Sequence, residues 1–291
     1  MYRVKRILLC VFFVILMLLI SLRPFCRYIS SEGFASPSLL LKDQNNIYTL
    51  SVQNKSVYVY LKERKVLSEH RLEKELAISS CTADLDHDGR DELILLCAKE
   101  SKEYGDDLVV FSFISPLYNS SIEDNKPFKE IYRFSCKGLN PWKVQTSDVD
   151  GDGSIEISIG VFKTSHFHPV MAKRPFLYVW KNGGIFPKWR GSRLSRPFDD
   201  YVFSDLDLDG KDELVSIEHL VSGEKVLTSY SWKGFGFEKT GESRSFNNIL
   251  NIVRGSSMGK EDYEIFAKTK ENSSWTPSIF YYKDGKLLTR E

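Results

Sequence analysis

The sequence predicts an all-β protein of the β-propeller class, with five blades of about fifty residues each. Two repeated patterns lead to this prediction. An acidic nonapeptide recurs at 84–92, 148–156 and 205–213, and a strand signal of the form aromatic-x-aromatic recurs along the chain at intervals of about fifty residues. Aromatic residues, which favour strands, make up 13% of the chain. The acidic loops keep a nearly constant distance from the strand signals, as repeats of one unit should.

The strand signals mark one predicted hairpin in each blade. They are Tyr58 with Tyr60, Phe111 with Phe113, Tyr178 with Trp180, Tyr230 with Trp232, and Phe280 with Tyr282. Turn residues follow several of them, as in YVWKNGGIF, YSWKGFGFE and FYYKDGKLL. Turn residues between two apolar or alternating runs indicate a β-hairpin.

Two of the five predicted blades lack an intact acidic loop. The fifth has a degenerate copy, RGSSMGKED at 254–262, in which arginine, serine and methionine replace the three aspartates while Gly259 keeps the turn glycine. We expect this copy to keep the turn without the metal. In the first blade, the segment 38–52 has room for two strands and a short connection but carries no motif.

Each intact loop has aspartates at positions one, three and five, a glycine at position six and a glutamate at position nine. Carboxylates this close repel one another by roughly 4 kcal/mol at the effective dielectric of a protein surface, so the pattern indicates a bound cation. Several hard oxygen donors on a pliable loop suit Ca²⁺ better than Mg²⁺. An EF-hand would need a glutamate at position twelve, where these loops have Leu95, Ile159 and Ser216. The alternative is an exposed acidic turn without metal.

These motifs resemble the FG-GAP/VCBS repeats of integrin-like β-propellers, and the resemblance covers about residues 36–291. It implies a loop that joins two strands within a blade and holds calcium structurally, with position seven contributing its carbonyl oxygen. Three such loops imply about three calcium ions. The implied ligands are Asp84, Asp86, Asp88, Arg90 and Glu92; Asp148, Asp150, Asp152, Ser154 and Glu156; and Asp205, Asp207, Asp209, Lys211 and Glu213.

The N-terminus predicts a membrane segment at residues 1–35, ahead of the propeller domain. A basic stretch, MYRVKR, precedes an unbroken apolar run at 7–22, a pattern that inserts with the N-terminus inside. The small residues that a cleavage site needs first occur at Gly33 and Ala35, some way behind the run. An uncleaved signal anchor is therefore favoured over a cleaved signal peptide, which would release a secreted protein, and over a buried helix. Either of the first two places the domain outside the cytosol.

Three cysteines fall within the predicted domain: Cys81, Cys97 and Cys136. Cys81 and Cys97 flank the first acidic loop and could lie on adjoining strands, so a disulfide is one interpretation. The other is that all three are small buried apolar residues.

One segment stands outside the repeats, KTSHFHPVMAKRPF at 163–176. It lies in the longest interval between an acidic loop and a strand signal, and we interpret it as a long loop. His166 and His168 could supply two ligands, and Lys173 with Arg174 could hold an anionic sugar or a phosphate. The alternative is a solvated loop with incidental histidines. Long loops on rigid scaffolds often carry function, which makes these four residues the candidate contacts with a ligand.

Composition and motifs favour a binding or scaffold module whose partner is an extracellular protein or a cell-wall glycan. Lys+Arg 40 against Asp+Glu 39 gives no support to a nucleic-acid partner. The rival is a carbohydrate-active enzyme, which would need two carboxylates about 5 to 9 Å apart. Outside the acidic loops, the acid pairs Asp199–Asp200 and Glu123–Asp124 remain, and they resemble ordinary loop residues. A third interpretation, an assembly or signalling partner within the membrane, has the same sequence features as the first.

Overall fold

The computed structural model describes residues 39–44, 46–61, 65–100, 103–115, 126–255 and 264–290. Within these residues the chain folds into twenty β-strands and no helix, and hence no helix there is long and apolar enough to cross a membrane. The strands form five successive antiparallel meanders of four strands, which we call units 1 to 5. Units 4 and 5 share one eight-stranded sheet through a single parallel residue pair, Glu242 with Lys286.

The strands of each unit follow one another in chain order. Unit 1 contains β1 (Leu39–Asp43), β2 (Asn46–Gln53), β3 (Ser56–Leu61) and β4 (Lys65–Arg71). Unit 2 contains β5 (Leu76–Ala83), β6 (Glu92–Ala98), β7 (Asp107–Phe113) and β8 (Phe128–Ser135). Unit 3 contains β9 (Pro141–Ser147), β10 (Glu156–Ser165), β11 (His168–Lys181) and β12 (Gly184–Arg190). Unit 4 contains β13 (Phe198–Ser204), β14 (Glu213–His219), β15 (Lys225–Trp232) and β16 (Phe237–Glu242). Unit 5 contains β17 (Asn248–Arg254), β18 (Ile265–Glu271), β19 (Ser274–Lys283) and β20 (Lys286–Arg290).

The apolar runs of the sequence pack between neighbouring units. Side chains alternate between the two faces of a strand, so a strand that is apolar at every position is buried on both faces. On β6, Leu93 and Leu95 join the core that unit 2 shares with unit 1, while Ile94 and Leu96 join the core shared with unit 3. Similar cores lie between units 3 and 4 and between units 4 and 5.

Side-chain hydrogen bonds link the first strands of successive units. Thr82 Oγ1 of β5 donates to the carbonyl of Leu40 on β1 at 2.6 Å, and Thr146 Oγ1 of β9 donates to the carbonyl of Thr82 at 3.4 Å. Gln145 Nε2 of β9 donates to the carbonyl of Tyr201 on β13 at 3.0 Å. The units therefore succeed one another with their first strands side by side. This confirms the predicted all-β, propeller-like fold.

The sequence signals fall at equivalent places in the units. Every aromatic-x-aromatic pair lies on the third strand of its unit, namely β3, β7, β11, β15 and β19. The predicted membrane segment, the acid pair Glu123–Asp124 and most of the degenerate loop 254–262 lie outside the described residues.

The three cysteines of the described residues are buried free thiols. Cys81 on β5 and Cys97 on β6 do lie on adjoining strands, but Cys81 pairs in register with Ile94 and Cys97 pairs with Ala77. The two sulfur atoms belong to different cores. Burial raises the pKa of both thiols. Cys81, Cys97 and Cys136 therefore act as small apolar core residues.

Candidate metal centres

The three acidic loops occupy one equivalent place in units 2, 3 and 4. Each loop connects the first strand of its unit to the second strand. The loop starts directly after β5, β9 or β13, and its final glutamate is the first residue of β6, β10 or β14. The paired strands fix the two ends of every loop, so each backbone must reverse over the same short length.

Two backbone positions in each loop allow this reversal. The glycine at position six has φ of 83° in Gly89, 83° in Gly153 and 84° in Gly210. Only glycine adopts this left-handed region without steric cost, which explains its recurrence. Position four is also left-handed, with φ of 60° in His87 and 62° in Leu208.

Carboxylates converge in each loop from positions one, three and nine. One oxygen from each of the three side chains lies within 4.8 Å of the others. The three groups are Asp84, Asp86 and Glu92; Asp148, Asp150 and Glu156; and Asp205, Asp207 and Glu213. Each loop thus holds an acidic cluster within ion-binding distance, as the spacing of its carboxylates predicts.

The aspartates at position five do not join these groups. Instead, the Oδ1 atom of each accepts a hydrogen bond from the amide of position seven: Asp88 from Arg90 at 2.8 Å, Asp152 from Ser154 at 2.7 Å, and Asp209 from Lys211 at 2.9 Å. The two basic side chains at position seven pair with aspartates outside these groups. Arg90 lies 3.4 Å from Asp43 Oδ1, and Lys211 lies 3.5 Å from Asp209 Oδ2.

The aspartate at position one holds the turn together. In the first loop, Asp84 accepts hydrogen bonds from the amides of Asp88 at 3.1 Å and Gly89 at 3.0 Å. Asp205 accepts the equivalent pair in the third loop at the same distances. Each carboxylate oxygen keeps a second lone pair, so these hydrogen bonds leave it able to bind a cation.

The glutamate at position nine is the buried member of each cluster. Its Oε2 atom accepts a hydrogen bond from the amide of position two, at 2.9 Å between Leu85 and Glu92 and at 3.0 Å between Leu206 and Glu213. Burial raises the pKa of Glu92 and of Glu213 to about 7, and the neighbouring aspartates contribute to the rise. Both glutamates are therefore unfavourable as anions unless a cation joins them.

The second loop has a cation of its own. Lys188 Nζ, from β12 of the same unit, lies 2.6 Å from Asp150 Oδ2 and 2.6 Å from Glu156 Oε1. Burial raises the pKa of Glu156, and the hydrogen bond from Lys188 opposes that rise. For Lys188, burial lowers the pKa, but its two hydrogen-bonded carboxylates outweigh that effect and the pKa is raised. Loops 84–92 and 205–213 fit a divalent cation, whereas loop 148–156 is already neutralised in part.

The aspartates at position eight of the first and third loops make a contact that the sequence pattern did not predict. Asp91 Oδ2 accepts a hydrogen bond from the amide of Lys42 at 2.6 Å, and Asp212 Oδ2 accepts one from the amide of Asp148 at 3.0 Å. Each aspartate thereby fastens its loop to the preceding unit. A signal was present, because RDE and KDE share an aspartate where the second loop has Ile155.

A cavity opens beside the third loop. Its volume is about 230 Å³, and its lining includes Asp207, Asp209 and Glu213. Trp232 and Tyr282 also line it. The cluster at 205–213 is therefore accessible to a cation from solvent.

The segment 163–176 is not the predicted long loop. It is the end of the hairpin formed by β10 and β11, which pair from Glu156 with Val179 to Ser165 with His168. Continuous pairing of two long strands accounts for the length that the sequence analysis assigned to a loop. His166 lies exposed at the turn, and His168 is half-buried at the start of β11.

The basic residues of this hairpin serve the fold, and they do not form a joint anion site. Arg174 is fully buried and donates to the carbonyls of Lys163, His168 and Val170 at 2.8 to 3.0 Å. Lys173 Nζ instead donates to the carbonyl of Asp199 and lies 4.3 Å from the ring centroid of Trp142. Adjacent residues of a strand point to opposite faces, which separates the two charges.

Asp199 and Asp200 lie within β13 and not in a loop. Asp199 pairs with Lys225 at 2.5 Å and with His219 at 2.7 Å, and Asp200 pairs with Lys143 at 2.6 Å. Burial alone would raise the pKa of Asp199, but the hydrogen bonds from Lys225 and His219 outweigh it and lower the pKa. Asp199 is thus held as an anion, which is the wrong state for the general acid of a glycosidase.

No model of a known protein family matches the chain, and no curated protein matches its sequence. The solved structures that match the chain include the following three. An Agrocybe aegerita lectin that recognises non-reducing terminal N-acetylglucosamine has 13% identity and a TM-score of 0.45, over 90% of this chain and 68% of that one. A candidate 6-phosphogluconolactonase of Bacteroides fragilis has 14% identity and a TM-score of 0.49, over 85% and 67% of the two chains.

The third, a candidate 6-phosphogluconolactonase of Bacteroides uniformis, has 12% identity and a TM-score of 0.47, over 86% of this chain and 68% of that one. All three TM-scores lie below 0.5. The architecture given above therefore rests on the strand pairing of the chain itself.

Proposed function

We propose that this protein is a calcium-stabilised binding module with a five-bladed propeller, held at the outer face of the membrane by its N-terminal segment. Its partner is an extracellular protein or a cell-wall glycan. Its acidic loops are of the FG-GAP/VCBS kind, which the sequence motifs resemble, and those at 84–92 and 205–213 hold calcium.

The convergence of carboxylates in the first and third loops carries this proposal. Glu92 and Glu213 are buried beside aspartates whose oxygens lie within 4.8 Å, and no Lys, Arg or His of the described residues pairs with either glutamate. A hard divalent cation would neutralise each group through oxygen ligands alone. Calcium suits the site better than magnesium, because it accepts irregular coordination by a pliable loop.

The calcium would stabilise the module without taking part in a reaction. The glutamate of each loop begins a strand buried on both faces, so an ion at the loop fixes the start of that strand. In the first and third loops, the aspartate at position eight then fastens the ordered loop to the preceding unit. A rigid set of units suits a protein that presents a surface to a partner. The ion pairs of Asp199 and Asp200 give no support to the alternative, an enzyme.

The experiment is a thermal melt of the full chain in detergent, with EGTA, with millimolar Ca²⁺ and with equal Mg²⁺. An ion that binds only the folded state raises the free energy of unfolding by roughly 2.7 kcal/mol per site at a hundredfold excess of ion over Kd. We expect a melting temperature several degrees higher in Ca²⁺ than in EGTA, with little recovery in Mg²⁺. Asp86→Asn should reduce the gain, whereas Asp284→Asn, an exposed aspartate in a hairpin turn, should leave it unchanged.

The binding role has its own test. The full chain serves as bait in calcium against cell-wall and membrane fractions, with the EGTA-treated chain as the comparison. Calcium-dependent enrichment of one protein or glycan supports the proposal. Turnover of a glycan by the purified chain would instead support an enzyme.

A further inference from the structure

The ammonium group of Lys188 lies among the carboxylates of the second acidic loop. Its Nζ atom is 2.6 Å from one oxygen of Asp150 and 2.6 Å from one oxygen of Glu156, two of the three side chains that converge there. The other oxygen of Glu156 accepts the amide of Val149 at 3.1 Å. Asp150 Oδ1 is buried without a protein partner. Lys188 therefore occupies one oxygen from each of two of the three converging carboxylates.

Lys188 reaches the loop because of a β-bulge in β12. Leu177 pairs with Trp189 and Tyr178 pairs with Pro187, so Lys188 is the extra residue between them. A bulge redirects the side chain of its extra residue. Lys188 is thereby turned towards the acidic loop of its own unit, and its side chain is only 15% exposed.

A bulge between the third and fourth strands also occurs in units 1, 2 and 4. The extra residues there are Leu67 in β4, Ile131 in β8 and Thr240 in β16. Thr240 lines the cavity together with Asp207 and Glu213. Its position relative to the third loop is therefore equivalent to that of Lys188 relative to the second. Of the four bulge residues, Lys188 alone carries a positive charge.

We propose that Lys188 takes the place of a calcium ion in loop 148–156, so that the chain binds two calcium ions, at 84–92 and 205–213. This inference rests on the proposed function. A calcium ion in the second loop would need the same oxygens that Lys188 uses, and it would be repelled by the ammonium charge. Trp232 of the next unit also lies beside Lys188, with 6.0 Å between Nζ and the ring centroid.

The test counts calcium per chain by plasma mass spectrometry on the full chain after gel filtration. The wild-type protein should carry two ions. Lys188→Met, which keeps the apolar stem and removes the charge, should carry three, and its melting temperature should depend more strongly on calcium. Thr240→Lys installs the same charge at the third loop and should leave one ion.

Aspartate variants test the inference without altering Lys188. Asp86→Asn and Asp207→Asn should each remove one ion, whereas Asp150→Asn should remove none. Three ions in the wild-type chain, or loss of an ion in Asp150→Asn, would overturn the inference and leave the proposed function standing. A wild-type chain without calcium would overturn both. If Lys188→Met does not fold, the three aspartate variants decide the question.

Discussion

The carboxylate of Asp212 accepts a hydrogen bond from the amide of Asp148 at 3.0 Å, and the amide of Asp212 donates to the carbonyl of Asp148 at 2.7 Å. This reciprocal pair ties the third acidic loop to the first residue of the second. Asp91 of unit 2 makes the same pair with Lys42 of unit 1. The acidic loops are therefore contacts between units as well as candidate metal sites.

Replacing Asp212 with alanine should destabilise the fold by about 1 to 3 kcal/mol, because the amide of Asp148 loses its acceptor. Chemical unfolding of the calcium-free chain measures this change without any contribution from a metal. Asp91→Ala should behave similarly at the first loop. Glu238→Ala, an exposed carboxylate on β16, is the matched control and should be close to neutral. Equal stability of Asp212→Ala and Glu238→Ala would show that the pair contributes nothing.

Arg174 should prove to be a structural residue. Its guanidinium satisfies three main-chain carbonyls while fully buried, so Arg174→Ala should cost about 3 kcal/mol of stability. Arg174→Lys should rescue little, since an ammonium group cannot reproduce the planar fork. The melting temperature measures both effects. His166→Ala, at the exposed turn of the same hairpin, should leave it unchanged.

His70 should make the fold weaker in mild acid. Burial lowers its pKa below 6.5, with a smaller effect from the charge of Lys126, and the ring packs edge-on against Phe111 and Phe128. In mild acid, His70 is therefore protonated more readily in the unfolded chain than in the folded chain. The stability from the neutral ring is complete above pH 6.5 and is lost as the pH falls from 6.5 through the folded pKa.

The measurement for His70 is the free energy of unfolding from pH 8 to pH 5 in the wild type and in His70→Phe. The wild type should lose up to about 1.4 kcal/mol more than the variant for each pH unit below 6.5. The acidic loops titrate in both proteins, so they cancel in the difference. Parallel profiles would contradict the prediction.

The N-terminal segment should hold the chain with its propeller outside the cell. The basic residues at 1–6 precede the apolar run at 7–22, a pattern that predicts insertion with the N-terminus inside. Protease added to intact cells should digest residues after about 36 and spare the N-terminal peptide. A mature protein in the medium that begins near Ser36 would show cleavage of a signal peptide instead.

Sequence patterns are informative here where the structure is local and repeated. The period of the aromatic strand signals located the third strand of every unit, because a strand signal needs only neighbouring residues. The aspartates, glycine and glutamate of each loop also lie within nine positions, so their convergence at Asp84, Asp86 and Glu92 followed from spacing. The hairpin at 163–176 was misjudged, since polar residues that pair across a long hairpin look like a loop in a linear sequence.

What the sequence by itself determined was the all-β class, the repeat and the three acidic clusters. Only the tertiary structure decided which groups compensate the negative charge of each cluster. Lys188 lies 32 residues from Glu156, and Asp212 lies 64 residues from Asp148. Neither contact has a sequence pattern, because a β-bulge and the packing of one unit on the next place these side chains. The loop pattern predicts a need for positive charge, and the folded unit decides whether a lysine side chain lies among the carboxylates.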